Sequence, residues 1–168
     1  WIAEHQMLKS HVGVITNVRP DHLEEMGPTE EDVALSLCNT IPVDGVLITG
    51  EDQKTDLMRD IAGKNESRFI HSNESTITKE ELEKFTYMEH PSNVAVALDA
   101  CKEAGVERKT ALAGMHKVKP DLGALIGWNL DLNGKNIQFI NGMAANDPVS
   151  TLQIWKFIMD RYPAEGGT

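Results

Sequence analysis

The chain has 168 residues, of which 40% are apolar and 5% aromatic, so we expect one ordinary core in a soluble protein. Its formal net charge of −10 argues against a nucleic-acid surface, because phosphate binding requires basic residues in excess on at least one face. The two cysteines, Cys38 and Cys101, lack the CxxC spacing of zinc or redox sites and are expected to be reduced core residues of a cytosolic protein. No run of about eighteen apolar residues occurs, so a membrane anchor would lie outside the chain.

A polar loop after the first apolar run carries the clearest functional pattern. The branched residues at 12–15 predict a short buried strand, and residues 16–28 follow it with the sequence TNVRPDHLEEMGP. Thr29 then begins the pattern of a capped amphipathic helix. Ligands of open α/β sheets bind just beyond the carboxyl ends of the strands. The loop therefore supplies three polar candidate site residues, which are Asn17, Asp21 and His22.

Strand and helix patterns alternate through the next part of the chain. A buried strand is predicted at 46–49 after a turn, and a shorter strand at 68–70. Between them the spacing of apolar residues predicts a helix from about Gln53 to Ala62, with Gly63 as its stop. A polar surface helix is predicted from Lys79 to Phe85. This alternation predicts an α/β fold with a mostly parallel sheet and covering helices.

The clearest helix pattern begins near Pro91 and ends at Gly105, since proline is tolerated in the first helical turn. A second short helix is predicted from about Lys109 to His116. The residues around and after it form the basic part of an otherwise acidic chain, and include Arg108, Lys109, His116, Lys117 and Lys119. Such a cluster is usually a solvated helix face, although it would also guide a polyanionic substrate.

The last part of the chain predicts a hairpin followed by a helix. Alternating apolar residues flank Asn133-Gly134, and both central positions of such a turn require positive φ. A loop over residues 141–147 then leads to Pro148, with Asp147 as the expected N-cap of the last helix. We divide the chain into residues 1–118, with the parallel sheet, and residues 119–168, a small hairpin-helix region.

The motif of the polar loop resembles that of a known superfamily. Residues 17–24 have the pattern N-x-x-x-D-H-L-(D/E), which is similar to the Mur ligase superfamily of ATP-dependent amide ligases. The longer sequence TNVRPDHLEEMGPT at 16–29, continuing to TIP at 40–42, resembles the ligase subunits of bacterial poly-γ-glutamate synthases, which make a capsule polymer. This resemblance implies an enzyme that activates a glutamate carboxylate with ATP as an acyl phosphate and couples it to glutamate.

The resemblance covers essentially the whole chain but only the later portion of such an enzyme. The family's phosphate loop has the pattern G-x-x-x-x-G-K-[ST], and the nearest match here is residues 45–50 followed by Glu51 and Asp52. Their carboxylates would repel phosphate, so we interpret this match as spurious. We therefore expect a fragment that begins after the phosphate loop and is inactive alone. A lysine that many family members place about fifteen residues after the histidine is also missing, since Leu37 stands there, and this favours the capsule branch.

For the metal, the resemblance implies that His22 is one of the few protein ligands of Mg²⁺, while water and phosphate oxygens complete the octahedron. Asp21 or Asn17 would then fix the imidazole ring or the loop. The alternative is a solvated turn histidine with no ligand. ATP and Mg²⁺ are the cofactors that this interpretation requires.

For the nucleotide, the resemblance implies three groups of contacts. Asn93 would contact adenine, although His90 replaces the first asparagine of the family's Asn-x-x-Asn pattern and Asn93 also fits an ordinary helix start. Lys117 or Lys119 would replace an arginine that reaches the phosphates in the family. The loop that holds the ribose contributes three further candidates, which are Asn141, Asn146 and Asp147.

Two other functions remain open from the sequence. The first is another amide ligase of the same superfamily, of the folylpolyglutamate or cell-wall type. The second is a non-catalytic assembly module that docks on membrane partners, which the missing phosphate loop favours. For the ligase, the expected partners are glutamate, poly-γ-glutamate and the membrane subunits of a synthase complex. We expect a cytoplasmic protein that reaches the membrane through these subunits or a preceding segment, and homo-oligomerisation is left open.

Overall fold

The computed structural model describes residues 2–121, 123–143, 145 and 148–161. The chain divides into two compact units. The sheet unit comprises the described residues up to Leu82 together with Glu89–Met115, and the hairpin unit comprises Glu83–Met88 and the described residues from His116 onward. No helix of the described ranges is long and apolar enough to cross a membrane.

A three-stranded parallel sheet forms the centre of the sheet unit. Its strands are β1 (Val12–Ile15), β2 (Val46–Thr49) and β3 (Arg68–His71), with β2 in the middle. All four residues of β2 are buried, as expected for an apolar run in the central strand of a parallel sheet. Because the strands end in register, the loops that follow them leave from one edge. The predicted parallel sheet is confirmed.

Helices connect and cover the strands of the sheet unit. Thr29 caps α3 with a capping box, because its hydroxyl accepts from the Asp32 N–H while the Asp32 carboxylate accepts from the Thr29 N–H. A short 3₁₀ turn spans Glu74–Thr76. The α-helices of the unit are α1 (Ile2–Leu8), α2 (Leu23–Met26), α3 (Glu30–Cys38), α4 (Thr55–Lys64), α5 (Lys79–Leu82), α6 (Pro91–Glu103) and α7 (Arg108–Met115).

The predicted end of α4 is wrong. Gly63 lies inside the helix, and the residue with left-handed backbone is Glu66, at φ 56°. The Glu66 N–H donates to the Gly63 carbonyl and the Ser67 N–H to the Ala62 carbonyl, which are the two bonds of a Schellman motif. At the end of α6 the same motif places Gly105 in the left-handed position, at φ 78°, so that predicted stop is confirmed.

Two further helix boundaries differ from the prediction. The α4 helix begins at Thr55 because the Gln53 and Lys54 N–H groups donate to the Glu51 carboxylate in the preceding loop. The polar helix from Lys79 ends at Leu82 and does not continue to Phe85. Phe85 is instead buried in the hairpin unit, where its ring contacts Tyr87 and His116 edge-on.

Apolar side chains pack on both faces of the sheet. One cluster joins Leu47 of β2 to residues of α3 and α4 and to Ile41, and Cys38 belongs to it. On the other face Val46 and Ile48 contact Val96 of α6. This two-sided covering explains why Val46, Leu47 and Ile48 are all apolar. Of the two cysteines expected in the core, Cys38 is buried and Cys101 is half-buried.

The hairpin unit contains an antiparallel pair, β4 (Ile126–Leu132) and β5 (Lys135–Asn141), followed by α8 (Pro148–Arg161). Asn133 and Gly134 both have positive φ, 56° and 77°, as a two-residue type I′ turn requires. The Gly134 N–H also donates to the Asp131 carboxylate at 2.9 Å. The predicted hairpin and last helix are therefore confirmed, while the expected N-cap, Asp147, lies outside the described residues.

Candidate functional site

The carboxyl edge of the parallel sheet brings the loops after β1 and β2 against α6. The Gly50 N–H, just after β2, donates to the Ile15 carbonyl at 3.4 Å. A Cβ atom on Gly50 would lie 3.0 Å from the Thr16 carbonyl oxygen and 3.1 Å from a methyl carbon of Val96. Glycine is therefore favoured here, because the two loops and the helix approach each other closely.

The polar loop leaves this edge and presents His22 to solvent. His22 has left-handed backbone, at φ 48° and ψ 45°, which is uncommon for a residue other than glycine but more frequent for histidine than for most. Its carbonyl accepts from the N–H groups of Glu25 and Met26, and these bonds close the turn of α2 that begins at Leu23. The side chain is 64% exposed. The loop thus directs the imidazole outward with a backbone conformation that costs energy.

Asp21 contacts His22 in two ways. Its Oδ1 atom accepts from the His22 N–H at 3.0 Å, and its Oδ2 atom lies 3.8 Å from the imidazole Nε2. Both side chains are exposed, and Glu24 and Glu25 follow in the first turn of α2. The local charge is therefore negative, which favours a cation near the imidazole. Asn17 is exposed at the start of the same loop.

The protein groups around His22 could supply only part of a cation's coordination shell. Among the described residues, no three histidine, cysteine or carboxylate side chains are grouped closely enough to hold a metal ion. His22 and Asp21 offer one nitrogen and one carboxylate. Mg²⁺ usually keeps several waters and takes one or two protein groups plus phosphate oxygens. This limited donor set therefore fits a cation that arrives with a phosphorylated ligand, and it does not fit a closed structural metal site.

Asn93 lies in the first turn of α6, on the same unit. Its Nδ2 atom donates to the Glu89 carboxylate at 3.0 Å, and the same carboxylate oxygen accepts from the His90 N–H. His90 is the N-cap of α6, and its side chain makes no capping hydrogen bond. One amide hydrogen of Asn93 therefore serves the helix start, and its carbonyl oxygen and its second amide hydrogen are the groups to consider for a ligand.

Two of the remaining candidates, Lys117 and Asn141, belong to the hairpin unit. Lys117 is exposed just after α7. Asn141 is the last residue of β5, and its Oδ1 atom accepts from the Met143 N–H at 3.1 Å. Asn146 and Asp147 lie outside the described residues.

Sequence reasoning missed Glu51, which is the best-bonded carboxylate at the sheet edge. Only 7% of the residue is exposed. One carboxylate oxygen accepts from the Val18 N–H at 2.7 Å, and the other accepts from the Gln53 and Lys54 N–H groups at 2.7 and 3.2 Å. The sequence signal was available, since an acidic residue two positions after a buried strand falls at the edge where ligand-binding loops lie.

The comparisons with known proteins decide the family. Residues 3–126 match the family model described as the Mur ligase middle domain. The chain belongs to the Mur ligase family. Residues 128–167 match a second model, described as the poly-gamma-glutamate synthase CapB C-terminal domain. The resemblance stated from the loop motif is therefore confirmed for the Mur ligase family and for its capsule branch.

Two relatives of this Mur ligase chain are named for capsule biosynthesis and for PGA synthesis. The "Capsule biosynthesis protein CapB" of Bacillus anthracis is 39% identical over 159 residues, which cover 95% of this chain and 34% of that protein. The "PGA synthase CapB" of Bacillus subtilis (strain 168) is 36% identical over 165 residues, which cover 98% of this chain and 42% of that protein. The chain thus spans less than half the length of either relative.

Solved structures of the Mur ligase type share the fold. MurF from Acinetobacter baumannii superposes with a TM-score of 0.75 at 15% identity, over 94% of this chain and 39% of that one. FolC from E. coli, solved in complex with DHPP and ADP, gives a TM-score of 0.72 at 18% identity, over 95% of this chain and 40% of that one. At these identities the likeness establishes the fold alone, and it confirms the predicted α/β class.

Proposed function

We propose that this chain is the later portion of an ATP-dependent amide ligase that makes poly-γ-glutamate. The observation that carries the proposal is the outward imidazole of His22, held in left-handed backbone beyond the sheet edge beside Asp21. Its support comes from the family models and from relatives named for the capsule and for PGA synthesis. Residues 1–118 are then the later part of the ATP-binding domain, and residues 119–168 a small hairpin-helix region.

The proposed reaction has two steps. A glutamate carboxylate oxygen attacks the γ-phosphorus of ATP, and ADP leaves. The amine nitrogen of a second glutamate then attacks the acyl carbon, an amide forms and inorganic phosphate leaves. Both steps gather negative charge at one place, and a bound Mg²⁺ supplies the compensating positive charge. His22 is the residue of this chain that would hold the cation, through a neutral ring nitrogen.

The other residues of the loop would orient that imidazole. The Asp21 carboxylate accepts from the His22 N–H and so keeps the backbone in the conformation that directs the ring outward. Its second oxygen lies near the ring and favours a cation at the same place. Asn17, at the start of the loop, would contact the ligand or the loop backbone.

The nucleotide contacts are proposed residue by residue. The Asn93 carbonyl oxygen would accept from the amino group of adenine, while one hydrogen of its NH₂ group donates to Glu89. Lys117 would approach the phosphates in place of the family's arginine. The ribose contacts would come from Asn141, Asn146 and Asp147. Glutamate, the growing polymer and the membrane subunits of a synthase complex are the partners in this proposal.

A chimera tests the ligase proposal. This chain would replace the aligned segment of the Bacillus subtilis relative, and glutamate-dependent ADP release would be measured. Replacement of His22 by asparagine is the decisive variant, because asparagine tolerates left-handed backbone and removes the imidazole. We expect turnover to fall by about 100-fold or more, since an interaction with the reacting phosphates is lost.

His11→Asn is the matched control. His11 is exposed immediately before β1, at the amino end of the sheet, so the same chemical change there should leave turnover unchanged. Near-normal turnover of both His22→Asn and His22→Gly would remove His22 from the mechanism, because glycine also tolerates left-handed backbone and offers no side-chain ligand. Preference for a folate or a nucleotide-linked peptide over glutamate would instead favour the other ligases of the family.

A non-catalytic assembly module is the second candidate function, favoured by the absence of a G-x-x-x-x-G-K-[ST] loop in these 168 residues. It predicts that the chimera folds and releases no ADP with any amino acid. Restored ADP release, dependent on glutamate, would exclude it.

A further inference from the structure

We propose that Glu51 is a positioning residue that fixes the loop carrying Asn17 and His22 at the sheet edge. This inference rests on the proposed function, because it assigns Glu51 a role in the same ligase site. Glu51 is not expected to contact substrate. Its effect would pass through the backbone of the loop.

The two carboxylate oxygens of Glu51 bind two different segments. The Oε1 atom accepts from Gln53 and Lys54 in its own loop, and so organises the start of α4. The Oε2 atom accepts from the Val18 N–H at 2.7 Å, across 33 positions of sequence. The hydroxyl of Thr49 accepts from the Glu51 N–H at 3.0 Å, which holds the Glu51 backbone against the end of β2.

A carboxylate is the group that suits this arrangement. Three N–H groups point at two oxygens, and a carboxylate accepts at both oxygens without offering a donor. Hydrogen bonds to a charged acceptor are shorter and stronger than neutral ones, which offsets the cost of burying the charge. Glutamine has the same length, but its NH₂ group would face one set of these donors and leave N–H groups unpaired.

The bond to Val18 does more than support the start of α4, because it also fixes the loop that leads to His22. The last ladder pair of β1 and β2 joins Ile15 to Thr49, and Val18 follows three residues later. Val18 packs against the core and lies directly after Asn17. Fixing its N–H therefore sets the path on which the chain leaves the core and turns toward His22. A displacement of about 1 Å at a reacting group can reduce turnover about 100-fold.

Glu51→Asp should break the bond to Val18 and keep the bonds to Gln53 and Lys54. Aspartate is one methylene shorter, so it can still accept from N–H groups two and three positions ahead, as in an Asx turn, but cannot reach Val18. Amide hydrogen exchange of the chain should show Val18 exchanging about ten-fold faster, with Gln53 and Lys54 nearly unchanged. Glu51→Gln keeps one acceptor oxygen, so it should speed exchange only in the segment that its NH₂ group faces. Glu66→Asp and Glu66→Gln make the same changes at an exposed glutamate after α4, and should alter none of these amides.

The kinetic test uses the chimera described above. A positioning role predicts that Glu51→Asp lowers kcat by about ten-fold or more while KM for ATP changes less than about two-fold, below the unfolding temperature. A purely structural role would leave kcat intact at that temperature. Unchanged kcat in a folded Glu51→Asp chimera would therefore overturn the inference.

Failure of the ligase proposal can be distinguished from failure of the positioning role of Glu51. A folded chimera with native Glu51 that releases no ADP with glutamate would refute the ligase proposal. Exchange in the 168-residue chain would still decide the positioning role. Unchanged Val18 exchange in both folded Glu51 variants overturns that role, whereas faster exchange at Val18 alone in Glu51→Asp supports it.

Discussion

The two units of this chain place their apolar residues very differently. In the described part of the chain, every buried apolar side chain except Phe85 belongs to the sheet unit. In the hairpin unit, one face of β4 and β5 carries five large apolar side chains that are 42–58% exposed, and these are Trp128, Leu130, Leu132, Ile137 and Phe139. The sheet unit thus has a core that can hold its loops in place, while the hairpin unit relies on its turn and its cross-strand pairs.

This difference explains where a rigid site can form. Glu51 and the loop of His22 are anchored on strands whose side chains are 0–4% exposed at Leu47, Ile48 and Ile15. A two-stranded hairpin is marginally stable alone. Its register here comes from the Asn133-Gly134 turn and from pairs such as Trp128 with Phe139, whose ring centres are 5.7 Å apart. Catalytic geometry is better supported by the first arrangement.

Truncation of a leucine in each unit gives the largest expected contrast. Leu47→Ala removes a side chain with no exposed surface in the central strand, and should lower the free energy of unfolding by roughly 2–5 kcal/mol. Leu130→Ala, at a residue 45% exposed in β4, should cost about 1 kcal/mol or less. Urea unfolding followed by far-UV circular dichroism measures both. Equal losses would show that the hairpin face is buried in solution.

Alkaline pH should lower the stability of the sheet unit through its buried Cys38, by somewhat less than Leu47→Ala does. Burial raises the pKa of the Cys38 thiol from 9.0 to about 11. The folded chain therefore holds this proton more tightly than the unfolded chain. Its contribution, about 2–3 kcal/mol, is present below pH 9 and is lost as the pH rises from 9 through 11. Urea unfolding should lose less stability over this window in Cys38→Ala than in the native chain.

A cysteine in the hairpin unit gives the control for Cys38. In a Cys101→Ser background, a cysteine replacing Leu132, which is 58% exposed, should react with a thiol reagent at pH 8 at least ten-fold faster than Cys38. Similar rates would contradict the burial of Cys38 and with it the expected alkaline loss.

The features predicted correctly from sequence are those set by neighbouring residues. The apolar run at Val46–Thr49, the capping pattern at Thr29 and the Asn133-Gly134 turn each determine their own backbone locally. The loop motif likewise located His22 at a strand end, because strand and loop are adjacent in the chain. Its metal role stays a prediction.

The features that could not be predicted depend on contacts between distant residues. The position of Glu51 after β2 indicated the sheet edge, but nothing near it in sequence indicates its bond to Val18, 33 positions away. Gly63 was expected to stop α4, but the helix continues to the point where Glu66 and Ser67 turn the chain into β3. Glycine permits a left-handed residue, and the start of the next strand decides which residue adopts that conformation.

Two glycine substitutions should produce the smallest effects, with opposite signs in the two units. Gly63→Ala should stabilise the chain by about 1 kcal/mol, because α4 is helical there and a Cβ atom would meet nothing within 4 Å. Gly134→Ala should destabilise it by about 1 kcal/mol although space is equally open, because φ is 77°. Gly114→Ala in α7, also with open space, is a matched helical control and should stabilise. Urea midpoints compare the three variants.

Two outcomes would contradict these expectations. Destabilisation by Gly63→Ala would show that Gly63 does act as a helix stop. A neutral Gly134→Ala would mean that the type I′ turn does not set the register of the hairpin.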